Sequence, residues 1–239
     1  MDWEKKRTIL NWSVCISLIV SVGLIGSSLL AQEPHPLLAK LEGQWAVDES
    51  QAGSDPIDRQ PAFAVAESYL TIEGTSSREA YGNEANDPAT LCPMAGTLAV
   101  QPVDFELIDR GSFIDIVAYG RTRHVFMDFE REPPETFVPN ALGWSVGRWV
   151  GDMLVIRTTR LSEGVVKSGE RPLPFGGPIA QIVERYTLSE DQNRLSVTIN
   201  LNDPKFYAYS LRVRHYYARA DNILRGRDCV LASGTGPVG

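Results

Sequence analysis

The chain has 239 residues, 43% of them hydrophobic, 22% charged and 9% aromatic. That is enough for one domain with a sizeable core and too apolar for disorder, while 20 Gly and 15 Pro are too few for a collagenous or low-complexity chain. A formal net charge of −7, with no Lys/Arg run after residue 7, lacks the basic footprint of a nucleic-acid binder, so no nucleic-acid partner is expected.

The N-terminus reads as an address. Lys5-Lys6-Arg7 precedes a run from Ile9 to Ala31 without a charge, the form of an export signal cut after Ala31. Leu29 is large for a position three residues before the cut, and the run is long enough to span a bilayer. An uncleaved anchor, and with it a membrane contact, is therefore the alternative. Either form places the bulk of the chain in the periplasm or outside the cell. Beyond the signal only Cys92 and Cys229 remain, which in an exported chain predicts a single disulfide worth roughly 4–5 kcal/mol of loop closure. Two buried free thiols are the alternative. Neither cysteine has a Cys or His partner at zinc-ligand spacing.

Residues 32–62, with Pro34, Pro36, Pro56 and Pro61, form an irregular lead-in in which Leu37–Leu41 suggests one helical turn. The barrel domain is expected from residue 63 to 239, where the periodicity is two. Strands are predicted at 68–73, 105–109, 112–119, 122–128, 147–150, 153–159, 180–188, 195–201 and 206–217. Arg110-Gly111, Gly151-Asp152, Asp191-Gln192-Asn193 and Asn202-Asp203-Pro204 supply turns between them. No helix is expected after residue 62. Residues 129–143 and 160–178 read as long rim loops. Many short strands with regular turns predict an all-β chain, a single antiparallel barrel.

The strand faces point to a cavity. In 206–217 the apolar face carries Tyr207, Tyr209, His215 and Tyr217; in 180–188 it carries Glu184 and Tyr186. Asp115 falls on a face of 112–119 that is also apolar. An ionisable group on an apolar face is costly unless paired, so each is either a site residue or half of a buried pair, such as Glu184 with an arginine.

Leu41-Glu42-Gly43-Gln44-Trp45 resembles the opening of lipocalin-like (calycin) barrels. That resemblance implies a tryptophan closing one barrel end under an arginine of the last strand, here Arg212 or Arg214. A second resemblance covers most of residues 92–232. It rests on Cys92-Pro93, Arg123 to Asp128, Gly143 to Val155, Val183-Glu184-Arg185-Tyr186, Leu195 to Pro204 and Cys229. These segments are similar to a family of exported bacterial proteins whose central block reads Gly-His-Ser-x-Gly-Arg-Trp-x-Gly-Asp-x-Leu-Val. The resemblance also fits a Cys92–Cys229 pairing. This chain departs from the pattern at three histidine positions, which here read Arg131-Glu132-Pro133, Gly143-Trp144-Ser145 and Gly169-Glu170-Arg171-Pro172.

No metal or cofactor motif is present. His124, His215 and a carboxylate could meet across a barrel, but no ligand spacing says so. Gly143-Trp144-Ser145-Val146-Gly147 matches the letters of a nucleophile elbow but precedes a hairpin rather than a helix, so Ser145 reads as structural. Two functions lead, with a structural or envelope-assembly role as the remaining one. The first is an exported binding protein holding a small hydrophobic or aromatic molecule, with Arg123, Tyr119, Asp128, Trp144, Tyr207 and Tyr209 as candidate ligand contacts. The second is a cofactor-free isomerase, lyase or hydratase in the same cavity, with Glu184, His215 and Asp115 as acid–base candidates and Arg123 holding an anionic oxygen.

Overall fold

Alternation of apolar and polar residues fixes the strands, and the computed structural model shows how they close. It describes residues 35–51, 66–80, 102–118, 120–168 and 171–222, all within the unit Pro34–Gly239. The signal or anchor segment, Cys92, Cys229 and Tyr119 lie outside the described residues. Among those described, no helix is long and apolar enough to cross a membrane.

In chain order the strands are β1 (Gly43–Val47), β2 (Phe105–Asp109), β3 (Phe113–Ala118), β4 (Arg121–Phe126), β5 (Trp144–Val150), β6 (Met153–Thr159), β7 (Leu161–Ser168), β8 (Arg171–Gly177), β9 (Gln181–Leu188), β10 (Arg194–Asn202) and β11 (Leu211–Ala220). Among the described residues two α-helices accompany them, α1 (Leu38–Leu41) and α2 (Ile72–Ala80), with short 3-10 turns at Glu49–Gln51 and Glu67–Tyr69. Nine strands close a barrel in the order β1-β11-β10-β9-β6-β5-β4-β3-β2, and β7-β8 form a separate hairpin. The first barrel strand thus lies inside the segment that reads as a lead-in.

The barrel is mixed, not purely antiparallel. Strands β4 and β5 pair in parallel through Val125↔Ser145 and Phe126↔Val146. Parallel neighbours need a crossover, and residues 127–143 supply it by running back along the outside of the wall. Aromatic and arginine side chains hold that segment down. Phe126 stacks on Trp144 at 4.7 Å, Phe137 meets Trp144 edge-on, and the Arg131 guanidinium lies 4.1 Å over Phe126. Arg148 and Arg157 sit over Phe129 at 4.2 and 4.5 Å.

One barrel end is closed by α1. Trp45 is fully buried, and its indole Nε1 donates to the Leu41 carbonyl at 2.9 Å. Arg219 lies 4.4 Å over the Trp45 ring and donates to the carbonyls of Glu42 (2.9 Å) and Lys40. These are carbonyls that a helix end leaves unbonded, so one arginine and one indole cap α1. The arginine is Arg219, in place of the expected Arg212 or Arg214, because β11 runs on to Ala220 and carries the inward phase past Tyr217. Gly43 joins α1 to β1 at φ 118°, and a Cβ there would stand 3.0 Å from Arg219 Nη1. Only glycine suits both conditions.

The opposite end is covered by α2, the β7-β8 hairpin and the turn 203–210. Three expectations fail in this region. Residues 68–73 are not a strand: Glu67–Tyr69 is a 3-10 turn, Leu70 makes a single bridge to Tyr207, and α2 begins at Ile72. Thr71 caps that helix, its Oγ1 accepting from Gly74 N (3.0 Å) and donating to the Lys205 carbonyl (2.7 Å). Residues 160–178 are not an open loop but contain the hairpin. Strand β11 begins at Leu211, not at residue 206, because Asp203 organises a turn: its carbonyl accepts from the amides of Phe206 and Tyr207, and its Oδ2 accepts from Gly176 N. Phe206 and Tyr207 are then buried beneath α2 and β8.

Helix α2 approaches that turn closely at Gly74, where an added Cβ would lie 2.3 Å from the Phe206 carbonyl oxygen. Alanine favours a helix over glycine by about 1 kcal/mol in isolation. Gly74→Ala is nonetheless expected to destabilise by about 1–3 kcal/mol through overpacking, read as a lower denaturant midpoint at unchanged slope. A more stable variant would show that α2 stands off from the turn.

Candidate functional site

The inward positions of the barrel are largely apolar, and the buried polar side chains gather mainly in one zone. Arg123 on β4 reaches across the interior to Glu184 on β9, a strand three places away around the wall. Nη1 lies 2.5 Å from Oε2 and Nη2 lies 3.2 Å from Oε1. Tyr186 donates its hydroxyl to Glu184 Oε1 at 3.1 Å and accepts from Arg123 Nη2 at 3.4 Å. Arg123 Nη1 also reaches Thr158 Oγ1 at 3.4 Å, and Thr158 shares a 2.8 Å hydrogen bond with Ser145. Glu184, Tyr186 and Thr158 have no exposed area, and Arg123 has 4%.

Period-two alternation puts these side chains inside. Ile182, Glu184 and Tyr186 share one face of β9, as do Leu154, Ile156 and Thr158 of β6. The electrostatics follow from burial. Desolvation works against the Arg123 charge, but the Glu184 carboxylate outweighs it and holds the guanidinium above its ordinary range. Burial, and then the Glu184 charge, push the Tyr186 phenol well up. The same two causes, in the same order, raise Tyr217, which packs edge-on against Phe105 at 4.9 Å.

The proposed acid–base residues do not converge. Glu184 is the buried partner of an arginine. His215 is on the same wall, one strand beyond β10, level with Tyr186 through Val197 and not opposite Glu184. Asp115 is a correction: it is on the outer face, between the inward Ile114 and Ile116. It accepts from Arg110 Nε at 2.9 Å and pairs with His124 Nδ1 at 2.6 Å. Those two outer side chains shield the carboxylate, so it is buried without being internal.

Of the expected ligand contacts only Arg123 lies in the interior. Asp128 is exposed and organises the turn into the crossover, accepting from Glu130 N. Trp144 faces outward and packs under the crossover, its Nε1 donating to the Arg131 carbonyl. Tyr207 is buried at the covered end, with its hydroxyl on the Pro174 carbonyl at 2.8 Å. Tyr209 is 69% exposed and meets Tyr69 edge-on. Tyr207 and Tyr209 belong to a turn, so the alternation that placed them inside a strand does not apply. Ser145, hydrogen-bonded to Thr158 within a strand, is structural. Among the described residues no group of three or more His, Cys, Asp or Glu converges as a metal would require.

Part of the interior network is visible in the sequence. Arg123 and Glu184 are each an isolated charge of opposite sign on an inward strand face, and Thr158 and Tyr186 carry the nearby hydroxyls. What the sequence does not say is that β4 and β9 face each other. The chain matches no protein-family model, no curated protein and no solved structure. The fold and site define a closed mixed barrel with an internal ion-pair network.

Glu184→Gln leaves Arg123 buried without its counter-charge, and an expected loss of about 3–5 kcal/mol follows. Replacing both partners with apolar residues, Arg123→Met with Glu184→Leu, is expected to recover most of that loss. A double-mutant cycle from denaturant melts checks both, and additive losses would show the two groups uncoupled.

Tyr186, Tyr207 and Tyr217 all resist ionisation in the folded state. In the unfolded chain a phenol ionises near pH 10, so above that pH the folded state binds more protons than the unfolded one. Stability is then full below about pH 10 and falls as pH rises further. Absorbance titration should show these phenolates emerging only with unfolding, and Tyr217→Phe should shallow the alkaline loss. Reversible ionisation of every tyrosine in the folded protein would contradict it.

Proposed function

We propose that this protein is an exported, lipocalin-like binding barrel, placed in the periplasm or outside the cell, that takes up a small hydrophobic or aromatic molecule. The observation that carries the reading is the closed nine-stranded barrel, whose largely apolar interior surrounds a charge-neutral ion-pair network. At the end opposite Trp45, β11 is paired with β10 from Leu211 to Ala218 and outruns β1, whose last paired residue is Val47, opposite Tyr217. Asp48 N still donates to the Tyr216 carbonyl, and Glu49–Gln51 packs beside β11. The inward Val213 there remains only half-buried. An apolar interior above a charge-neutral floor suits a ligand of low polarity.

Arg219 stacked on Trp45 at the closed end supports the calycin resemblance. The cofactor-free enzyme loses its main motive. Both oxygens of Glu184 are occupied by Arg123, one of them also by Tyr186, so the carboxylate is not placed to exchange a proton with a substrate.

A structural role is the second reading. It draws on the fully buried Trp45, Phe105, Tyr186 and Tyr217, which fill the interior near the closed end. Native mass spectrometry of protein isolated from its own host separates the two. The binding reading expects a retained small apolar or aromatic molecule, and expects Val213→Phe, which enlarges a half-buried inward side chain, to lose it without a lower melting temperature. A wild-type protein that carries nothing and binds no apolar dye would leave the structural role.

A further inference from the structure

The outer surface of the barrel is electrically lopsided. On five consecutive wall strands, β5, β6, β9, β10 and β11, no outward position is Asp or Glu, although the chain as a whole has 30 acids to 23 bases. The outward positions hold Arg148, Arg157, Arg185, Arg194, Arg212 and Arg214. The strand registers set all but Arg194 in two rows. Arg148, Val155, Arg185, Thr198 and Arg214 are successive neighbours across the five strands. Beside them run Val146, Arg157, Val183, Asn200 and Arg212. Strands lie about 4.8 Å apart, so arginines two strands apart in a row are about 10 Å from each other.

Few of these charges are answered inside the protein. Among the described residues, Arg148, Arg157, Arg185 and Arg212 take part in no ion pair. Arg148 and Arg157 stack on Phe129, which orders the side chains and leaves their charge in place. Arg214 donates to Thr198 Oγ1 at 3.0 Å, and Arg194 has Asp48 and Asp191 near it. Elsewhere the outer face does hold acids, as at Glu106 of β2 and Asp115 of β3. The basic strand positions are thus a local arrangement, with the acids on this side confined to turns and to the crossover, where Asp128, Glu130, Glu132 and Glu135 flank the Phe129 that receives Arg148 and Arg157.

We propose that this wall docks on an anionic phospholipid surface. Charge complementarity calls for a spread of negative charge rather than one anion, because Arg185 and Arg212 stand in different rows and on different strands, while Arg148 and Arg157 meet only at the Phe129 ring. The residues between them are short and largely apolar, and Val150 at the wall's edge is 46% exposed. Such a surface lets arginine stems lie along apolar matter while the guanidinium groups meet headgroup phosphates. A chain that carries the uncharged run Ile9–Ala31 behind Lys5-Lys6-Arg7 also meets lipid, in transit or as an anchor. A second copy of this chain suits the wall less well, since two walls face to face would oppose arginine to arginine. The inference stands apart from the ligand reading and does not need it.

The test is arginine footprinting of the full chain with a dicarbonyl reagent, mapped residue by residue, in phosphatidylcholine vesicles with and without phosphatidylglycerol. Each guanidinium at a lipid surface contributes roughly a fivefold factor in binding. Arg148, Arg185 and Arg212 should therefore react at least about fivefold more slowly in the anionic vesicles than in the neutral ones. Arg110, on the other side of the barrel, should not change. The protection should vanish at about 1 M salt, where the screening length is near 3 Å. Equal modification in both vesicles overturns the proposal. So does protection in neutral vesicles that grows with protein concentration, which would mark a protein–protein face. Stronger protection by duplex DNA than by anionic vesicles would overturn it as well, in favour of a nucleic-acid surface.

Discussion

The Arg123–Glu184 pair is the constraint on which the barrel's interior depends. Two charges removed from water are tolerated only with near-ideal geometry and further hydrogen bonds. Here both guanidinium nitrogens meet both carboxylate oxygens, with Tyr186 and Thr158 taking the remaining contacts. Apolar residues of similar volume could hold the same space, so the pair's contribution lies in specifying structure more than in raising stability. It ties β4 to β9 across the interior. It does so beside the weakest joint in the wall, since β4 and β5 share only two paired positions. A cross-brace of high directional demand stands where the backbone ladder is shortest.

The two ends of the barrel are closed by different physics. At the Trp45 end the closure is polar at its rim. The last carbonyls of α1 are satisfied by Arg219 and by the indole, and the same guanidinium covers the ring face. At the other end closure is by apolar bulk, with Phe206, Tyr207, Leu173 and Phe175 buried beneath α2 and the hairpin. There one carboxylate, Asp203, shapes the turn. Burial raises its pKa, while the backbone amides of Gly176, Phe206 and Lys205 act in the opposite sense. The covered end is also the one where β11 outruns β1.

How much of this was legible follows from what each signal encodes. Strands β2 and β6 fall at the residues that alternation predicts, and β9 and β10 differ only at their ends, because period two is a local property. The parallel joint between β4 and β5 is not local: it depends on a crossover whose aromatic residues read equally well as a rim loop. Asp115 is not placed by alternation, because both faces of β3 carry apolar residues and the pattern does not say which one turns inward. Tyr207 and Tyr209 continue the alternation of β11 into a turn fixed by Asp203, and the pattern gives no sign of where the strand ends. Helix α2 has too little apolar periodicity to announce itself, and its closeness to the turn rests on Gly74. The buried pair was half legible. Each charge was visible on its own strand, and only the closure of the barrel brings the two together.

The same alternation ties the inside of the barrel to its outside. In β9 the residues Val183, Glu184, Arg185 and Tyr186 take outward, inward, outward and inward positions. A slip of one residue would turn Arg185 inward toward Arg123 and leave Glu184 on the outer wall. Two cations would then share a dry interior, and an acid would enter the arginine rows. In β4, a slip would replace Arg123 inside by Thr122 or His124 and leave Glu184 buried with no guanidinium within reach. Register is therefore set twice over, by apolar side chains that fit only one face and by charges whose signs match only when both strands are in place. The outward arginine of β9 and the inward glutamate beside it are two consequences of one register. A barrel that keeps its interior neutral by this device can present a strongly one-signed wall without drawing that charge into its core.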